Sequence, residues 1–320
     1  MRFFTKKNGG GEKTDRVITL SPSVVVLATY VLLLLSKVID LTLLNRENEY
    51  FSVVILQMMI FLLPGAIWCR LNGERFTSGL RLRLPAASTL PLLISGAFLL
   101  ASGIILISLA LGGLDSLSGS FSLYDTFVSK DTGTLPSKIY LIMAYAVLPA
   151  ICEEFVYRGI LCREYENGGV LRAVILSSVF FALLHFNLQN FPVYFFAGVV
   201  LALTLYATRS LIGAMIVHFL YNIFGLFGQP YMNTLYNITG SSALFVFVVA
   251  FVFLISAAIF CGCASSQYKK YLYRAYSSDY RGRVFKEPSE IKNAYLTVIK
   301  DPFTIASFVV YIIALLISWL

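Results

Sequence analysis

Charge is what this chain has least of. Asp, Glu, Lys and Arg together make up 13% of its 320 residues, where a soluble domain carries about a quarter. That shortage excludes an ordinary water-facing exterior, because a soluble core of this size needs a charged shell. Histidine is scarcer still: the two in the chain are His185 and His218. The cysteines, Cys69, Cys152, Cys162, Cys261 and Cys263, lie in or beside apolar runs without regular spacing. They do not read as a disulfide framework and are expected to be small buried hydrophobes. No internal repeat or low-complexity tract is visible, and no small-residue cleavage site follows the first apolar run, which is therefore read as a span.

Hydrocarbon is abundant. Hydrophobic residues make up 58% of the chain, and the mean hydropathy is +0.78. A bilayer core of ~30 Å needs roughly 20 apolar residues in helical form. Nine stretches come near that length: 20–43, 50–68, 86–112, 138–162, 171–188, 191–208, 211–227, 242–264 and 302–320. All should be helices, since a strand with an open edge cannot face lipid. The expected fold is an all-α polytopic helical membrane protein with about eight to nine transmembrane helices and the site inside the bundle. Eight applies if the fifth and sixth stretches form a hairpin that does not fully cross.

The sign of the charge gives orientation. Basic residues crowd the segment before the first span, the connections after the second and fourth, the turn before the seventh, and residues 265–301. The alternate connections hold only Arg46, Lys130 and Lys138. By the positive-inside rule the N-terminus is cytoplasmic. The expected organisation is a basic cytoplasmic N-terminus over 1–19 and a helical bundle over 20–264 with a catalytic core at about 140–228. A basic cytoplasmic segment over 265–301 and a C-terminal span over 302–320 complete it. The net charge of +8 then reports topology and lipid headgroups, and no nucleic-acid partner is expected. Tyr268, Tyr271, Tyr273, Tyr276 and Tyr280 fit a segment lying on the leaflet as well as a solvated loop.

Inside a membrane the informative residues are those that cost energy to place there. An ionisable group at mid-bilayer costs ~2.5–3.5 kcal/mol on insertion scales. Lys37 and Asp40, near the end of the first span, are assigned no role. The other cases concentrate in 150–222. Glu153 and Glu154 adjoin each other in the fourth span, and Arg158 follows Glu154 by one helical turn in the order that favours an ion pair. Glu153 lies about 100° round the helix, toward Tyr157 and away from that cation. A carboxyl group without a local counter-charge suits a general base. The cluster also reads, more simply, as the cytoplasmic end of a helix. His185 and the pair His218 and Asn222, four residues apart, fall in two further spans. With Arg163, Arg172 and Arg209 as surface markers and 1.5 Å per residue, Glu153, His185 and His218 lie roughly 15, 20 and 14 Å deep. Three helices therefore bring them to a similar level.

At these residues the chain resembles the CPBP family, which includes type II CaaX prenyl proteases and bacteriocin-processing enzymes. The family's three motifs appear in order as Glu153-Glu154-x-x-x-Arg158, Phe181-x-x-x-His185 and His218-x-x-x-Asn222. The resemblance covers about 140–228. It implies an intramembrane endopeptidase in which Glu153 and His185 activate water while His218 and Asn222 bind the oxyanion. Glu154, Arg158 and Phe181 would support the site. The implied substrate is a peptide or protein, prenylated or bacteriocin-like, in a bacterial plasma membrane.

Zinc on Glu153, His185 and His218 is the alternative to metal-free catalysis. The absence of an HExxH helix and the presence of Asn222, a poor zinc ligand, favour no cofactor. A non-catalytic scaffold or immunity protein keeping the protease fold, and a transporter, are the competing functions. A scaffold has no need of both histidines, and the inverted repeats of many transporters are not seen. A cysteine nucleophile at Cys152 or Cys162 is a further alternative, disfavoured at Cys152 by the two carboxylates beside it.

Overall fold

The computed structural model describes residues 2–5, 16–40, 54–73, 79–113, 122–273 and 288–319. Two short strands, β1 (Arg2–Thr5) and β2 (Arg16–Thr19), pair antiparallel. Everything after them that is regular is helical. In chain order the helices are α1 (Ser23–Asp40), α2 (Val54–Leu71), α3 (Ala87–Gly112), α4 (Ser122–Lys130) and α5 (Leu135–Gly168). There follow α6 (Val170–Leu183), α7 (Phe191–Thr208), α8 (Leu211–Phe227) and α9 (Gln229–Thr239). The last are α10 (Ser242–Tyr273), α11 (Pro288–Ile299) and α12 (Pro302–Trp319).

Each of the nine apolar stretches contains a helix. Among the described residues, five are long and apolar enough to cross a membrane, and seven if the bent pairs α8–α9 and α11–α12 each count as one span. The described apolar parts of α1 and of α6 are shorter. The C-terminal span is bent by 61° where α11 meets α12. The segment read as a basic cytoplasmic loop is partly helix, since α10 continues to Tyr273 and α11 begins at Pro288. Tyr276 and Tyr280, and the side chains of Lys37 and Asp40, lie outside the described residues.

The helix starts follow the local sequence. Proline occupies the first turn of α7 and α9, where its missing N–H costs nothing. Thr134 and Ser210 cap α5 and α8 by accepting from Ser137 N and Gly213 N. Gly113 and Gly240, both at positive φ, end α3 and α9, and Gly240 does so in the left-handed helical conformation.

Two interior prolines act differently. In α2 and α5 the sequence Leu-Pro, at Leu63-Pro64 and Leu148-Pro149, directly follows a π-helical turn, Met58–Leu62 and Met143–Val147. Leu63 and Leu148 each donate to the carbonyl five residues back, Met58 O and Met143 O. A proline has no N–H to give and presses on the preceding turn, so the turn widens and leaves carbonyls free. Other helices use them. Gln57 Nε2 donates to Ala144 O at 3.1 Å, Asn222 Nδ2 to Ala146 O at 3.4 Å, and Thr29 Oγ1 to Ile60 O at 3.5 Å.

The basic connections gather at one end of the bundle. Arg81 Nη2 reaches both carboxylate oxygens of Glu166, at 2.8 and 3.0 Å. Arg83 Nε donates to Arg209 O at 2.7 Å, and the Ser210 hydroxyl returns a bond to Arg83 O. Arg172 holds Tyr165 O and Ala294 O. At the same end Ser21 Oγ donates to Asp301 Oδ2 at 2.5 Å and Trp68 Nε1 to Leu20 O at 3.1 Å.

Candidate active site

The core of the bundle is apolar, and one group of charged and polar side chains is buried within it. Glu154 and Arg158 are 0% and 1% exposed, so they must satisfy one another or unfold the helix. Arg158 Nη1 donates to Glu154 Oε1 at 2.9 Å, the ion pair expected from their spacing. Arg158 Nη2 donates to Gly198 O on α7 at 3.0 Å. That carbonyl is within reach because α6 and α7 pack closely: a Cβ at Gly198 would meet Ser178 backbone at 2.8 Å. The guanidinium also lies 4.3 Å from the centre of the Phe181 ring.

Glu154 has a second partner that the sequence did not announce. The same Oε1 lies 2.9 Å from His218 Nδ1. A carboxylate can only accept, so Nδ1 carries the proton and Nε2 is left for other work. Glu154 therefore joins α5 to α8 as well as bracing its own helix.

His185 lies just beyond the end of α6, in the turn that follows Leu183, and not within a span as the apolar run 171–188 suggested. Its Nδ1 sits 3.0 Å from Phe181 O, one of the last carbonyls of α6, which have no partner inside the helix. The carbonyl fixes this nitrogen as the donor, again leaving Nε2 free. The imidazole is stacked on Tyr194 of α7, with ring centres 3.7 Å apart and planes within 9°. Phe181 meets four site groups with one ring: Arg158, Tyr157, His185 and His218.

Glu153, His185, His218 and Asn222 all line one cavity of about 250 Å³, together with Tyr145, Pro149, Phe181, Tyr194 and Tyr221. The four residues singled out as catalytic are thus brought together. Glu153 forms no side-chain hydrogen bond or ion pair among the described residues, unlike its neighbour. Tyr157, toward which Glu153 was expected to face, is fully buried and edge-on to Phe181, and its hydroxyl has no hydrogen-bond partner among the described residues. From Phe155 to Leu161 the helix is wound as a π-helix, so a 100° step per residue misplaces side chains beyond Glu154. Such turns are frequent at functional sites.

Among the described residues, no three His, Cys, Asp or Glu side chains gather as a metal-binding set. Cys152 and Cys162 are buried, and the Cys162 thiol donates to Ser177 Oγ at 3.2 Å. Cys69 is buried too, whereas Cys261 is exposed on α10, contrary to its reading as a buried hydrophobe.

Fold and site together define a multi-pass helical membrane protein with a carboxylate–histidine centre enclosed by its helices. Residues 135–224 match the family model described as Rce1-like, type II CAAX prenyl endopeptidase Rce1-like. This segment, from the start of α5 into α8, contains all three motifs and agrees with the resemblance drawn from the sequence. The likeness to that family is carried by this segment alone, less than half of the chain. No curated protein and no solved structure matches the chain.

Proposed function

We propose that the cavity hydrolyses a peptide bond with water activated by Glu153 and His185. The observation that carries this reading is the division of labour between the two adjacent glutamates. Glu154 is committed to Arg158 and His218, while Glu153 faces the cavity uncommitted. In the proposed reaction, water attacks the scissile carbonyl carbon and gives its proton to the Glu153–His185 pair. The carbonyl π electrons move to oxygen. Asn222 Nδ2 donates to that oxyanion, and His218 does so once its Nε2 carries a proton, the preorganised stabilisation that dominates much acyl transfer. Collapse of the tetrahedral species breaks the C–N bond, and the proton passes to the departing amine.

The substrate is proposed to be a peptide or protein chain end, prenylated or bacteriocin-like, presented within the bilayer. The apolar walls contributed by Leu100, Ile104, Val193 and Leu201 suit such a ligand. No metal takes part in the scheme. The gathering of basic connections at one end supports a cytoplasmic N-terminus in a bacterial plasma membrane.

The test is expression of wild type and Glu153→Ala in membranes, followed by mass spectrometry of prenylated and unprenylated candidate peptides. Cleavage by wild type alone is the expected result. Equal products from both proteins, at equal amounts of folded protein, would remove Glu153 from the chemistry.

A further inference from the structure

Among the cavity residues, Tyr194 belongs to none of the three motifs, yet its ring stacks on that of His185 with centres 3.7 Å apart. It belongs to α7, whereas His185 lies in the turn after α6 and is not held by helix backbone on its C-terminal side. Phe186, next in the chain, has a left-handed backbone with φ 47°, a conformation that is uncommon for a residue other than glycine. The imidazole is located by backbone at Phe181, 3.0 Å from Nδ1, and at Ala182, by the Phe181 ring edge-on at 5.2 Å, and by the Tyr194 ring face-on at 3.7 Å. The backbone bonds come from the last turn of α6 and hold one edge of the ring. The parallel Tyr194 ring is the contact that lies against its face.

We infer that Tyr194 is a positioning residue that sets the plane of His185, so that the free Nε2 is held at the cavity beside Glu153. The inference rests on the proposed hydrolase reading for its consequence in turnover, but the geometry it concerns exists without substrate. Stacking needs the ring and not the hydroxyl. Tyr194→Phe should therefore behave as wild type, while Tyr194→Leu keeps the apolar volume and loses the flat face. Misplacing a base by about 1 Å costs on the order of 10²-fold in rate. Tyr194→Leu should accordingly lower kcat by about 10- to 100-fold, with KM changed little.

Because the chain has two histidines, ¹⁵N-histidine labelling in detergent gives two imidazole spin systems, assigned with His185→Gln and His218→Gln. In wild type and Tyr194→Phe, the His185 ring protons should be shifted upfield by the stacked ring, with Nδ1 protonated. In Tyr194→Leu the upfield shift should vanish and the two tautomers should average, while the His218 signals stay in place. A wild-type His185 spectrum in Tyr194→Leu, or a kcat loss as large in Tyr194→Phe, overturns the inference. If no peptide is cleaved by any form, the hydrolase reading fails, and the spectra still decide whether Tyr194 orients His185.

Discussion

His218 Nδ1 lies 2.9 Å from Glu154 Oε1, the oxygen that Arg158 Nη1 also holds at 2.9 Å. One carboxylate oxygen thus ties a cation on its own helix to an imidazole on another. The second oxygen of Glu154 is buried without a partner, so the group has no spare interaction to fall back on.

Replacing Glu154 by Gln tests that link. Both donors meet one carboxylate oxygen, and a neutral amide oxygen in its place holds them more weakly than a charged one. Turnover should fall by about 10²-fold or more, on the scale of losing an oxyanion donor, because His218 loses its orientation. Folding should also weaken, as read by thermal unfolding in detergent. Normal kinetics in a well-folded Glu154→Gln protein would return Glu154 to a purely local role.

Arg158→Ala should be the more damaging change to the fold. It leaves Glu154 buried and half-partnered, and breaking a buried pair costs about 3–5 kcal/mol. Gly198 O loses its donor as well. A sharp drop in yield and in thermal midpoint is expected. A midpoint equal to wild type would mean that water reaches the pair.

Glu153→Gln should do the opposite. With no ion pair to lose, it should fold as wild type while cleavage disappears. Circular dichroism and thermal midpoint serve as the control, and product formation as the readout. Loss of folding here would contradict the uncommitted state of this carboxyl group.

Asn222→Ala should lower kcat by about 10²- to 10³-fold, the usual effect of removing one oxyanion donor. Substrate affinity should be nearly retained. Lost binding, with normal turnover of whatever still binds, would assign Asn222 to substrate capture.

Purification in the presence of a strong chelator should leave cleavage intact, because the residues as placed do not form a metal set. Activity that vanishes with chelator and returns with zinc would reverse the metal-free scheme.

The parts of the site that were legible in the sequence are those that pay a visible cost. Two carboxylates, an arginine and two histidines in apolar runs stand out because lipid tolerates them poorly. Their convergence followed from depth alone. Phe181 was legible as part of a motif, but not as the ring that meets Arg158, Tyr157, His185 and His218. Tyr194 was not legible at all, since an aromatic residue in an apolar helix costs nothing and carries no flag. The Glu154–His218 bond was hidden for another reason. Local spacing predicts partners within one helix, and a partner 64 residues away depends on how α5 and α8 pack. The π-helical turns were hidden too, although Leu63-Pro64 and Leu148-Pro149 mark where two of them end.

The long bond from Asn222 Nδ2 to Ala146 O, at 3.4 Å, has a consequence for selectivity. Before any peptide arrives, the amide is already engaged by a carbonyl of the widened turn ahead of Pro149. An amide nitrogen carries two protons, so this bond holds one and fixes the direction of the other. In the proposed reaction the second proton serves an oxygen acquiring negative charge, which gains more from it than a neutral carbonyl does.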